Sequence, residues 1–168
     1  MDKSSIKYIL EKDMDRFDQY IERADNKANF ILTISGAILI AIIFQNKDLF
    51  YDINNNIIKN IIFLDSALVA MSLISAIYFS LLVIIPRISR ETYTSVFYFE
   101  DIKYLKNNEF YEKLKNISED EFIEDFSKQV NQLSIIVSKK MNRVKSAYNC
   151  LIFSVVGIVI LVIINFIK

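Results

Sequence analysis

At 168 residues, 53% of them hydrophobic, with two Gly and one Pro, the chain is one domain-sized unit far from the composition of an average soluble domain, and it reads as helical and membranous. Twenty basic and twenty acidic residues cancel, which excludes the basic excess of a nucleic-acid-binding protein. The lack of His removes the commonest general base and transition-metal ligand, and the lone Cys150 excludes an internal disulfide or thiolate cluster.

The first residues, Met1 to Tyr8, hold no basic region followed directly by an apolar core, so no cleavable leader is expected and the mature chain starts at Met1. From Ser5 to Ala28 the apolar residues Ile6, Leu10, Met14, Phe17, Ile21, Ala24 and Ala28 step by three and four, drawing a stripe along one helix face. Glu11, Asp15, Asp18 and Glu22 occupy the other face. Such mixed charge favours a protein partner for the stripe over a lipid surface.

No Pro or Gly separates this helix from the apolar run Phe30 to Phe44, so one helix is expected to pass from water into lipid. That run is shorter than the roughly 20 residues a span needs, and Ala28, Asn29 and Gln45 extend it while Lys27 snorkels. The next polar stretch, 46–60, carries three consecutive Asn and the interfacial pair Phe50 and Tyr51. A second span follows over 61–85 and stops at Pro86-Arg87. Its Ser72, Ala76 and Ser80 recur every fourth residue and offer a face for close helix approach. Asp65 is its one acid, read either as an interfacial carboxylate reaching water or as a pore-facing or subunit contact.

Beyond it, Ile88 to Leu105 is rich in aromatics, including Tyr93, Phe97, Tyr98, Phe99 and Tyr104, and is read as an aromatic helix. Asn107-Asn108 reads as a turn, Phe110 to Lys115 as a short helix, and Ser118-Glu119-Asp120-Glu121 as a capping box. From there Ile123, Phe126, Val130, Leu133, Val137, Lys140, Val144 and Ala147 form a 3-4 seam leading into a last span over 147–167. Only Lys140 breaks the seam. Cys150, just inside this span, reads as a small buried hydrophobe.

Residues 1–28 carry six Lys or Arg and 87–146 carry eleven, against Lys47 and Lys59 in the intervening loop and Lys168 at the end. The positive-inside rule then places the N-terminus inside and the C-terminus outside. The expected architecture is all-α: a cytosolic amphipathic helix (1–28), spans over 29–45, 61–85 and 147–167, an external loop (46–60) and a cytosolic helical region (86–146), with the inward extensions packed as a bundle. Three spans enclose no sizeable aqueous path, so a homo-oligomer in a lipid bilayer is expected.

The run Arg23-Ala24-Asp25-Asn26-Lys27-Ala28, at the mouth of the first span, resembles the opening motif of the transmembrane effectors of Pycsar, a bacterial antiphage system. The second span ending Ile85-Pro86-Arg87, the cluster Phe97-Tyr98-Phe99 and the helix through Ser138-Lys139-Lys140 extend the likeness. The resemblance implies an effector of the inner cell membrane that responds to cyclic UMP or cyclic CMP from a partner pyrimidine cyclase, through a diffusible ligand, by impairing that membrane in abortive infection. It implies no other cofactor and no nucleic-acid partner.

A cyclic mononucleotide offers one phosphate charge, a ribose and a flat base, so its site calls for cations and a stacking face. Candidate ligand residues are Arg23, Asp25, Lys27, Arg87, Arg90, Phe97, Tyr98, Lys140 and Arg143, with Lys139 and Tyr104 nearby. Basic residues at this depth also serve topology and anionic lipid, and aromatics there also serve as core. A buried Lys140 needs an anion, which could be Asp25, Glu100 or a ligand phosphate. Asp25 and Lys27 point to different helix faces, and Asp25 could equally form a structural bridge to Lys140 or Arg143. No nucleophile elbow, Walker loop or metal-ligand spacing is present, so no catalysis is expected. An effector for another nucleotide messenger and a non-sensing structural or adaptor protein are the alternatives.

Overall fold

A computed structural model describes residues 2–49, 56–85 and 95–167. Its elements are α1 (Lys3–Leu49), α2 (Asn56–Ile84), the single turn α3 (Phe99–Ile102), α4 (Asn107–Asn116) and α5 (Glu119–Ile167), and no strand occurs among the described residues. The fold is all-α. The chain divides into two compact units, one of Met1–Glu22 with Pro86–Lys139 and one of Arg23–Ile85 with Lys140–Lys168. α1 and α5 each belong to both without interruption, as the absence of Pro and Gly where their polar stretches meet their apolar ones predicts.

In the first, polar unit α1 and α5 run parallel, with Lys3 bonded to Asp120 at 2.7 Å and the Lys7 ammonium 4.8 Å above the Phe122 ring. Hydrogen bonding to Asp120 raises the Lys3 pKa above its ordinary value. Phe97, Phe122 and Phe126 form the centre: Phe97 stacks on Phe126 at 4.7 Å and meets Phe122 edge-on at 4.9 Å. The seam residues Phe126 and Val130 are buried here beside Val96.

Two sequence expectations change in this unit. Among the described residues the aromatic stretch is helical only over α3, because side chains take the backbone donors of 95–98. Asp101 accepts the Ser95 N–H at 3.0 Å, buried Asp125 accepts that of Val96 at 2.8 Å, and Ser95 Oγ accepts those of Phe97 and Tyr98. The part of that stretch over 88–94, with Tyr93, lies outside the described residues. Asn107-Asn108 is no turn but the start of α4, where the Glu109 carboxylate accepts the Lys106 N–H at 3.0 Å and supplies an acceptor for the first turn.

The second, apolar unit is a three-helix packing. Its buried positions are Ala24, Ala28, Ile31 and Ser35 on α1, Val144, Ala147, Leu151 and Ser154 on α5, and Ile62, Ser66, Val69, Leu73, Ala76, Ser80 and Val83 on α2. Each row alternates steps of three and four, the spacing of left-handed helix packing. The small-residue face of α2 therefore follows a 3-4 seam and not every fourth residue: Ala76 and Ser80 lie in it, while half-buried Ser72 donates its hydroxyl hydrogen to the Cys150 carbonyl at 2.7 Å. Parts of α1, α2 and α5 are long and apolar enough to cross a membrane, and less than a third of each apolar window is buried. Phe44, Phe63, Met71, Phe153 and Val156 are among the outward side chains, which suits lipid as the surrounding solvent. The stretch expected as a loop over 46–60 is shorter, since α1 continues to Leu49 and α2 begins at Asn56; Phe50 and Tyr51 lie outside the described residues.

Gly157 of α5 packs directly against α2. A methyl group there would overlap Val69 Cγ2, and Val69 is buried and stiff at χ1. Overpacking costs about 1–3 kcal/mol, which exceeds the ~1 kcal/mol that Ala gains over Gly inside a helix. We therefore expect Gly157→Ala to lower the thermal unfolding midpoint of the full chain in detergent micelles, and Val69→Ala added to it to recover part of the loss. A single variant as stable as the parent refutes this packing.

The expected capping box opens α5: Glu121 accepts the Ser118 N–H at 3.0 Å and the Ser118 hydroxyl at 2.8 Å, and Ser118 Oγ accepts the Glu121 N–H at 3.3 Å. The bond from the Ser118 N–H, then that from its hydroxyl, holds the Glu121 pKa below its ordinary value. A folded-state pKa below the unfolded one stabilises at neutral pH, and the contribution fades as pH falls through the folded value. Carbon-13 NMR should show Glu121 titrating below the ordinary glutamate range, and Ser118→Ala should move its midpoint upward.

Candidate functional site

Asp25 and Lys140 meet directly. Asp25 lies on α1 between the buried Ala24 and Ala28, and Lys140 stands where the α5 seam calls for an apolar side chain. The two form an ion pair, with the lysine side chain 15% and the aspartate side chain 33% exposed. Of the three anions open to Lys140 on sequence grounds, Asp25 is the one that meets it; the Glu100 side chain lies outside the described residues. Lys27, two residues on, is exposed, so Asp25 and Lys27 do face different ways.

Arg143 has a separate task. It donates to the Leu82 carbonyl at 3.0 Å, in the last turn of α2. The intrahelical partner of that carbonyl would be the N–H four residues on, and position 86 is a proline, which has none. A cation at the C-terminal end of α2 also complements the helix dipole. Sequence reading placed Arg143 among ligand contacts or opposite Asp25. Its actual partner could be foreseen only by noticing that Pro86 orphans the carbonyl at 82.

The other expected ligand residues that are described divide between the two units. Phe97 has one ring face on Phe126, Tyr98 is half-buried with its N–H on Ser95, and Tyr104 is exposed with Lys103 5.0 Å from its ring. These belong to the polar unit, whereas Arg23, Asp25, Lys27, Lys140 and Arg143 belong to the apolar one, with Arg23 exposed on α1. Arg87 and Arg90 lie outside the described residues.

Each unit has a groove. That of the polar unit holds about 510 Å³ and is lined by Glu112, Glu121, Glu124 and Asp125 against Lys113 and Lys128, a balance that repels a phosphate. That of the apolar unit holds about 700 Å³, and Lys27 and Lys145 are its charged residues. Lys145 lies off the α5 seam, so apolar spacing alone does not single it out. In the apolar unit Asp65 keeps one carboxylate oxygen enclosed with no hydrogen-bond partner, as do the hydroxyls of Ser35, Ser66 and Ser80.

Breaking the Asp25–Lys140 pair strands a half-buried charge, at a cost of about 1–3 kcal/mol. We expect Asp25→Ala and Lys140→Ala each to lower the thermal midpoint while leaving membrane insertion intact, since neither touches an apolar span. Exchange of both charges should restore part of the loss, read as a coupling energy in a double-mutant cycle. Strictly additive single effects would show the pair to be idle.

Comparison with known proteins bears out the family resemblance. No curated protein and no solved structure matches the chain. The family model described as the Pycsar effector protein domain matches residues 9–167, which takes in α2, α5, all of α1 but its first turns, and the Asp25–Lys140 pair. The chain therefore belongs to the Pycsar effector family, membrane proteins of antiphage defence.

Proposed function

We propose that the chain senses a cyclic pyrimidine mononucleotide, cyclic UMP or cyclic CMP, made by a partner pyrimidine cyclase during infection, and responds by impairing the inner membrane. Family membership supports the pairing with a cyclase. The observation that carries the mechanism is the continuity of α1 and α5, each an unbroken helix shared by a polar unit and an apolar unit. A ligand that binds one packing of the polar ends better than another shifts the equilibrium between them. Unbroken helices carry a rotation or tilt along their length with no joint to absorb it.

In this reading the N-terminus lies in the cytosol, in line with the eleven Lys or Arg over 87–146, and the C-terminus lies outside. Several copies assemble, because three spans enclose no aqueous path. Cell death or growth arrest follows from loss of membrane potential. The ion pair of Asp25 with Lys140 acts as a latch on the resting packing, and the ligand displaces its balance from the cytosolic side.

Co-expression tests this. Cells carrying the chain and an active cyclase should depolarise, read with a voltage-sensitive dye, while cells carrying either alone keep their potential. An unchanged potential with both present would match a non-sensing adaptor and overturn the proposal. Depolarisation that follows a purine or oligonucleotide cyclase, and not a pyrimidine one, would move the ligand class.

A further inference from the structure

The groove of the apolar unit is built from two parallel helices. Asn26, Lys27 and Phe30 of α1 form one wall, and Lys145, Tyr148 and Asn149 of α5 form the other, with Met141 and Val144 between. Its volume of about 700 Å³ lies in the range of small-ligand sites. Both lysines are exposed, and neither makes an ion pair among the described residues. No acid lines the groove. From Phe126 to Lys168 the sequence contains no Asp or Glu, and Asp25, the acid adjoining the α1 wall, is already committed to Lys140.

The two lysines also share a depth. Lys27 is the last charge before an uncharged run that continues to Lys47, and Lys145 is the last before one that continues to Lys168. Each therefore stands at the polar edge of its span. Phe30 and Tyr148, 58% and 48% exposed, sit one turn further toward the apolar side. The wall thus presents ammonium groups first, amides beside them and aromatic faces below.

We propose that this groove binds a phosphodiester monoanion, with Lys27 and Lys145 on the phosphate oxygens, Asn26 and Asn149 on neighbouring hydroxyl or amide groups, and Phe30 and Tyr148 against the less polar remainder. Two sources offer that chemistry at this depth. An anionic phospholipid presents a phosphodiester in the headgroup layer, with its glycerol toward the rings. A cyclic mononucleotide is also a phosphodiester, with a base that stacks on an aromatic face. The lipid source is independent of the proposed function; the nucleotide source rests on it and locates its site.

The test uses the full chain in nanodiscs. Spin-labelled phosphatidylglycerol and phosphatidylcholine report lipid selectivity, and radiolabelled cyclic UMP and cyclic CMP report nucleotide binding in discs of phosphatidylcholine alone. The native chain is expected to prefer phosphatidylglycerol, or to bind a nucleotide, and the Lys27→Gln/Lys145→Gln variant to lose that binding about tenfold. Lys27→Arg/Lys145→Arg should retain it, as should Lys115→Gln on α4, and circular dichroism should show equal helicity throughout. Loss of lipid selectivity alone identifies the lipid source, and loss of nucleotide binding alone identifies the nucleotide. A native chain that selects neither probe, or a double Gln variant that keeps what the native chain binds, overturns the groove. In the latter case nucleotide sensing itself survives, with its site elsewhere.

Discussion

An ammonium group placed in a helix seam has to be met by an anion or it will not stay there. That constraint organises the junction of this protein. Lys140 interrupts an otherwise apolar 3-4 row, its side chain is 15% exposed, and Asp25 of the parallel helix supplies the carboxylate. Hydrophobic contact alone specifies the register of such a row weakly, since Ala, Val and Leu slide over one another at little cost. A buried charge pair specifies it strongly, because a slip by one residue separates both charges from their partners. The pair sets α1 against α5 where each enters its apolar run, and the Lys27–Lys145 groove takes its two walls from the same register.

Polar groups at the edges of the apolar packing are assigned with little redundancy. The Ser72 hydroxyl serves the Cys150 carbonyl, and Arg143 serves Leu82. Four buried polar side-chain atoms among the described residues have no partner, and all of them are on α1 and α2. In an apolar surrounding each such group is costly, and hydrogen-bonded neighbours are the ordinary remedy. Asp65 is the most consequential of them, being an acid within a span.

Much of this was legible in the residues. Continuous helices follow from the absence of Pro and Gly where polar stretches pass into apolar ones, the start of α5 from Ser118 and Glu121 three apart, and the seam with its one lysine from apolar spacing. Other features depend on contacts between distant segments. Arg143 finds a carbonyl 61 residues earlier in the chain because α2 runs antiparallel to α5, which spacing within either helix does not reveal. Phe97 reads either as a stacking face or as core, and Phe122 and Phe126 of α5 pack against its ring. Asn107 and Asn108 favour turns by themselves, yet the Glu109 carboxylate makes a helix start there by accepting the preceding N–H. The residues 95–98 are unwound for the converse reason, since carboxylates and a hydroxyl supply what the helix would have supplied.

The bond from Arg143 to Leu82 limits how the apolar helices can move. Sliding α2 along α5 by one turn, about 5.4 Å, would carry the Leu82 carbonyl out of reach of the guanidinium, and Pro86 ensures that α2 has no donor of its own to offer in exchange. A tilt pivoting near this contact keeps the bond. The proline at the end of α2 thus acts at a distance as a brake on piston motion, and leaves tilting as the cheap displacement between these two helices.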